Sequence, residues 1–275
     1  MIVRIISAAV ALPLLLFFVI MGGVWLKVAV CVLSAIGILE LCKAVSGKIK
    51  PIHFFAVITE IVYAFFMDSF INKNVNTDIL LIYIMLYTLL ILSYMVIFHK
   101  RTSVADVCVS VFSFMYVGLT LSCIYMLRVK YYVLVWMPFI CAFGSDTGAY
   151  FSGRAFGKHK LAPKLSPKKT VEGATGGVIS AGVLSVLFCI ISGKFKPLTA
   201  MIPFFFAVGA IGSVFAQLGD LAASTVKRKV NIKDYGNIMP GHGGVLDRFD
   251  SVIFTAPIIF MVLKIMEGSG IVGEL

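Results

Sequence analysis

Apolar residues run through this chain in blocks of about 20, parted by short polar breaks, and that period sets the first expectation. Blocks at 2–21, 24–43, 52–71, 78–98, 104–126, 132–151, 172–192, 198–222 and 251–267 are read from the sequence. Each is long enough for a helix rising 1.5 Å per residue to cross a hydrocarbon layer roughly 30 Å thick. The pattern predicts an all-α, polytopic membrane protein with about nine transmembrane helices. Two polar stretches are longer than the rest, 152–171 and 223–250. The chain therefore divides into a scaffold of transmembrane helices over 1–130 and a C-terminal transmembrane region over 131–275 that holds both long loops.

Composition agrees and excludes other classes. Hydrophobic residues make up 60% of the chain and charged residues 13%, with a mean hydropathy of +1.02, outside the range of soluble globular domains. The formal charge of +11 raises the question of nucleic acid, but basic residues of membrane proteins collect in cytoplasmic loops. No nucleic-acid partner is expected. With the N-terminus in the cytoplasm, 17 of the 24 basic residues fall inside: Arg4, Lys43, Lys48, Lys50, Lys100, Arg101 and the basic residues of the two long loops. Lys27, Lys73, Arg128, Lys130, Lys194, Lys196 and Lys264 remain. This orientation brings both long loops to the cytoplasmic side. Arg4 and the apolar run after it resemble a signal peptide, but no A-x-A cleavage site follows, so a retained first span is expected. That fits a bacterial inner membrane. The six cysteines form no CxxC pair and read as small core residues.

Single polar residues in the first half carry little chemistry. Glu40 and Asp68 lie near span ends and are expected to reach water, whereas Glu60 falls deeper and must find a partner or water. His53 and His99 read as interfacial.

Chemistry concentrates further on. The first polar stretch opens with Gly144-Ser145-Asp146-Thr147-Gly148 at the end of an apolar span and continues into a loop stiffened by Pro163 and Pro167, with Lys164, Ser166, Lys168 and Lys169. By itself this is either a positive-inside loop or an anion site. Gly173, Gly176 and Gly177 open the next span, where they let helices approach closely. At the end of the following span Asp220, Ser224 and Lys227 or Arg228 recur at helical spacing, so one face runs from carboxylate through hydroxyl to cation. Ser224 to Asp250 then reads STVKRKVNIKDYGNIMPGHGGVLDRFD, with Lys233, Asp234, His242, Asp247, Arg248 and Asp250 around a glycine-rich kink. Asp247 and Asp250 are three apart and share a helix face. Acids that can hold magnesium, cations for phosphate oxygens and glycines that bare backbone N–H groups suit a metal-chelated polyphosphate.

The pattern S-x-x-K-R-x4-K-D, then P-x-H-G-G-x-x-D-R-x-D, resembles the signature of the phosphatidate cytidylyltransferases, or CDP-diacylglycerol synthases. It departs only at Met239, where a Leu, Ile or Phe of similar volume is expected. The string SDTGAYFSGRAFGKHKLAPKLSPKKTVEG is similar to the same family, so two separated stretches agree. It implies transfer of CMP from CTP to phosphatidate in phospholipid biosynthesis, with magnesium and a second cation as candidate cofactors. Asp220, Asp247 and Asp250 are then the metal ligands, and Lys227, Arg228 and Arg248 complete the catalytic set. Asp146, Lys164, Ser166, Lys168, Lys169, Ser224, Lys233, Asp234 and His242 become substrate-binding candidates. CTP, phosphatidate, the bilayer and a second copy of the chain are the expected partners. Two rivals stand beside this: a CTP-dependent enzyme acting on another lipid phosphate or alcohol, and an ion-coupled transporter whose Asp146 and Asp220 bind the coupling ion.

Overall fold

A computed structural model describes residues 2–47, 49–71, 78–195, 197–241 and 243–268. Lys48, Lys73, Lys196 and His242, each given a place above, lie outside the described residues. Among the described residues the protein is all-α apart from one hairpin. Its helices are α1 (Ile2–Met21), α2 (Gly23–Val45), α3 (His53–Ile71), α4 (Asp78–Ile97), α5 (Val104–Ser113), α6 (Thr120–Tyr131), α7 (Met137–Phe156), α8 (Val171–Ser192), α9 (Leu198–Lys229) and α10 (Leu246–Gly268). Among the described residues six helical stretches are long and apolar enough to cross a membrane, and Ala9–Met21 forms a shorter apolar helix. One of the six, Val104–Phe156, is 53 residues long and combines two predicted spans. A straight helix of that length would measure about 80 Å, more than twice the hydrocarbon thickness. The run is interrupted instead, by a π turn at Phe114–Leu119 and a 3-10 turn at Tyr132–Trp136, where Tyr132 has φ 36°.

The chain forms two compact units: Met1–Lys130 with Ile232–Arg248, and Tyr131–Asn231 with Phe249–Leu275. In the first unit Tyr63, Tyr87 and Phe114 form an aromatic centre, Phe114 meeting Tyr63 edge-on at 5.9 Å and Tyr87 at 5.4 Å. The polar residues sort to its two ends. At one end Lys27 pairs with Asp68 at 2.5 Å, and Arg128 donates to the Val19 and Ile20 carbonyls, both at 3.0 Å, satisfying orphan acceptors at the end of α1. At the other, Ser103 and Asp106 form a capping box for α5, and Asp106 also accepts from the Lys50 N–H. This separation matches the alternation of loops drawn from the sequence, with Lys27 and Arg128 on one side and Lys50 on the other.

Two expectations need correction here. Asp68 is exposed as expected, but Glu40 is only 6% exposed and does not reach water. Its carboxylate is instead taken up by the backbone of Val245 and Leu246, which supplies the hydrogen bonds water would have given. Glu60 is fully buried, and neither of its oxygens has a hydrogen-bond partner among the described residues; the side chain lies against Gly118 in the π turn.

In the second unit α7 and α8 are antiparallel and meet backbone to backbone. A Cβ on Gly148 would stand 2.9 Å from the Gly176 carbonyl oxygen, and one on Gly177 would stand 2.8 Å from that of Ser145. The small residues at the start of α8 do allow the close approach anticipated for them. Gln217 of α9 ties the pair together. Its amide nitrogen donates to the Ala174 carbonyl at 3.0 Å and lies 3.3 Å from the hydroxyls of Ser145 and Ser213, which bond each other at 2.8 Å. Buried in a helix bundle, such a network is satisfied internally, as the absence of water demands.

Candidate active site

The site in the second unit is built on the connection between α7 and α8. The sequence predicts a loop here, whereas the stretch forms a two-stranded antiparallel hairpin, β1 (Lys160–Ala162) and β2 (Ser166–Thr170), with Lys160 opposite Thr170 and Ala162 opposite Ser166. Both strands are edges, so Pro167 is tolerated within β2. Two contacts anchor the hairpin to α8. The Thr170 hydroxyl caps the helix by accepting from the Gly173 N–H at 3.1 Å. Glu172, in the first turn, accepts from the N–H groups of Lys158 and His159 and lies 2.6 Å from the His159 ring nitrogen.

A cavity of about 360 Å³ opens between the hairpin, α7, α8 and α9, and Asp146, Tyr150, Arg154, Lys168, Lys169 and Gln217 contribute to its wall. That volume is at the lower end for small-molecule sites. Three cations against one carboxylate give the wall a positive balance. Arg154 approaches the Tyr150 hydroxyl at 3.3 Å, which places its guanidinium along α7 beside the opening.

Acids gather next to this wall. Lys169 of β2 forms an ion pair with Asp220 of α9, and the Ser224 hydroxyl reaches Asp220 at 3.4 Å. Asp250 of α10 lies close enough to Asp220, Asp146 and Lys227 to feel the charge of each. Gly219 makes this approach possible, since a Cβ there would stand 2.5 Å from the Asp250 carbonyl oxygen. Like charges held together on α7, α9 and α10 raise one another's energy unless cations intervene, and Lys169 and Lys227 are the cations at hand. Among the described residues no group of three or more His, Cys, Asp or Glu side chains closes to metal-binding distance. Magnesium does not require one, because it takes one or two carboxylates and fills its shell with phosphate and water oxygens. The all-oxygen donor set of Asp220 and Asp250 fits such a hard cation.

The segment 232–248 belongs to the first unit and holds Asp247. Its Oδ2 accepts from the N–H groups of Tyr235 at 2.7 Å and Gly244 at 3.0 Å, which pins the glycine-rich turn over the start of α10. Gly243 has φ 86°, and the Met239 N–H donates to its carbonyl at 2.9 Å across the turn. Glu40 of α2 completes the arrangement, accepting from Val245 at 3.0 Å and Leu246 at 2.8 Å. Hydrogen bonds to an ionised group contribute about 1.5–3 kcal/mol each.

Of the residues singled out in the sequence, the second unit brings together Asp146, Lys168, Lys169, Asp220, Ser224, Lys227 and Asp250. Ser166 opens β2, Lys164 lies exposed in the hairpin turn, and Arg228 is exposed near the end of α9. In the first unit Asp247 faces the turn, while Lys233, Asp234 and Arg248 are exposed. His242 lies outside the described residues. Sequence reasoning missed Arg154, Gln217 and Glu40. Arg154 reads from the sequence only as loop charge; Gln217 lies three residues before Asp220, and that adjacency is the available signal.

The profile of the Cytidylyltransferase family matches residues 2–266. A phosphatidate cytidylyltransferase of Bacillus subtilis (strain 168) is 32% identical over 276 residues, covering 96% of this chain and 98% of that protein. Phosphatidate cytidylyltransferases of Staphylococcus haemolyticus (strain JCSC1435) and Staphylococcus aureus (strain COL) are 34% and 33% identical over 261 and 263 residues, each covering 95% of this chain and 98% of the relative. With both polar stretches, nearly all the helices and the acid-and-cation cavity inside the matched region, this chain belongs to the cytidylyltransferase family.

Proposed function

We propose that the protein transfers CMP from CTP to phosphatidate, leaving CDP-diacylglycerol in the membrane and releasing pyrophosphate. The full-length likeness to phosphatidate cytidylyltransferases supports the substrates. The observation that carries the chemistry is the cavity where Arg154, Lys168 and Lys169 meet Asp146, beside the Lys169–Asp220 pair. A lipid phosphate oxygen attacks the α-phosphorus of CTP. The new O–P bond forms in line with the breaking bond to the bridging oxygen, and pyrophosphate departs with the bonding electron pair. Both reactants are anions, so the barrier is chiefly electrostatic and no side-chain nucleophile is needed.

Lys168, Lys169 and Arg154 hold phosphate oxygens at the cavity wall, while Lys227, Arg228 and Lys164 extend the positive field around it; in the first unit Arg248 and Lys233 keep the phosphate-binding roles that the likeness to the family implies. Ser166 and Ser224 donate hydrogen bonds, Asp234 orders the neighbouring turn, and His242 donates to the leaving pyrophosphate. Asp220 and Asp250 would hold magnesium and a second cation, and Asp247 carries the ligand role that the likeness to the family implies for it. Such ions, when bound, neutralise charge on the reacting phosphates. The exposed side chains of Tyr150, Phe151 and Phe156 at the end of α7 give the lipid's acyl chains an apolar approach. The site faces the cytoplasm of a bacterial inner membrane, a reading supported by the distribution of basic residues and by the bacterial relatives. Pairing with a second copy of the chain is part of the same proposal.

Purified protein given α-labelled CTP, phosphatidate and magnesium should yield labelled lipid and an equal amount of pyrophosphate, and EDTA should stop both. Labelling only when an isoprenoid phosphate or a lipid alcohol replaces phosphatidate would overturn the acceptor. Absence of pyrophosphate would overturn the reaction class.

A further inference from the structure

We propose that Glu40, on a helix remote in sequence from every polar motif, is a positioning residue for nucleotide transfer: it fixes the segment that presents Asp247. The inference rests on the role given to Asp247 above. The carboxylate is nearly fully buried at 6% exposure and divides its two oxygens between two successive backbone donors, Val245 at 3.0 Å and Leu246 at 2.8 Å. Leu246 opens α10 and Val245 directly precedes it, and N–H groups at a helix start have no partner within the helix.

The glycines of the turn are shaped around this side chain. A Cβ on Gly244 would stand 2.5 Å from both Glu40 oxygens, and one on Gly236 would collide with Oε1. Asp247 grips the same turn through Tyr235 and Gly244, so two carboxylates hold one short piece of backbone. Neither can shift without moving the other's donors. The negative charge has a second effect. A helix N-terminus ordinarily attracts an anion, and a carboxylate already seated on these donors keeps substrate phosphate away from them. Phosphate is left to the lysines and arginines.

A purely structural role and a positioning role differ in what they disturb. Glu40→Gln keeps the volume and one acceptor oxygen but turns an amide N–H₂ toward a backbone donor. Its magnesium midpoint should rise by about tenfold or more, as when a group that orients a metal ligand is removed. The value of kcat should fall by about tenfold while KM for CTP changes less than threefold, because an interaction that matters mainly in the transition state has been lost. Melting in detergent should fall by a few degrees, as the loss of one such hydrogen bond implies, while the folded fraction at the assay temperature and the fraction inserted stay near the parent values. Unchanged kcat and magnesium midpoint would overturn the proposal, as would losses that only follow the folded fraction. If Glu40→Gln fails to fold, Gly236→Ala carries the test, since it presses on the carboxylate without removing it; an unshifted magnesium midpoint there would also overturn the proposal. Asp247→Asn run in parallel separates the two layers. Full turnover in that variant removes the role of Asp247, whereas an inactive Asp247→Asn beside a parent-like Glu40→Gln removes only that of Glu40.

Discussion

Lys169 has one ammonium and two claims on it. It neutralises Asp220, and both side chains are about three-quarters shielded from water, with exposures of 25% and 28%. In the proposed reaction Asp220 turns to a cation and Lys169 to phosphate, so binding exchanges one ion pair for two. Lys169→Gln should then lower kcat/KM for CTP by about 10–100-fold, or about 1.4–2.7 kcal/mol of transition-state stabilisation, measured by initial rates at saturating phosphatidate. Glu40 and Glu60 show how far single residues can be read. Each is one acid in an apolar run, and nothing local distinguishes them. Glu40 finds its donors 205 and 206 positions later in the chain, whereas Glu60 finds none among the described residues. Partners at that separation are set by helix packing, which hydrophobic periodicity does not encode.

Helices in this protein meet at their small residues. The α7–α8 contact leaves no room at Gly177, where a side chain would meet the Ser145 carbonyl 2.8 Å from its Cβ and press on Gln217. Gly177→Leu should therefore force the pair apart, and the loss should appear as a lower melting temperature by several degrees and a larger aggregated fraction in detergent, consistent with about 1–3 kcal/mol for overpacking. Gly193→Ala is the control. It has open space around it, so only its φ of 63° opposes a side chain, at a cost near 1 kcal/mol. The close approach at α8 was legible from glycines spaced along one face of an apolar block. The hairpin was not, because its prolines and lysines show no alternation of buried and exposed positions. The sequence likewise marked 104–126 and 132–151 as separate spans but gave no sign of the π turn inside the first, since a one-residue widening leaves the apolar run unbroken.

At the scale of the whole chain, the distribution of charge carried the most information. Arranging basic residues by loop predicted which helix ends belong together, and within the first unit Lys27, Asp68 and Arg128 do separate from Glu40, Lys50 and Asp106. Which end faces the cytoplasm is testable at the hairpin. A Lys164→Cys variant should react with a membrane-impermeant maleimide in inside-out vesicles, and in intact cells only after permeabilisation, each compared with the parent chain. Labelling of intact cells would reverse the topology. The aromatic rim formed by Tyr150, Phe151 and Phe156 has a kinetic meaning as well. An acceptor that arrives along that rim, and a product that departs the same way, are met by lateral diffusion within a sheet and not from bulk solution. Their effective concentration is a mole fraction among neighbouring lipids, so diluting the vesicles leaves it unchanged while diluting the acceptor among inert lipids does not.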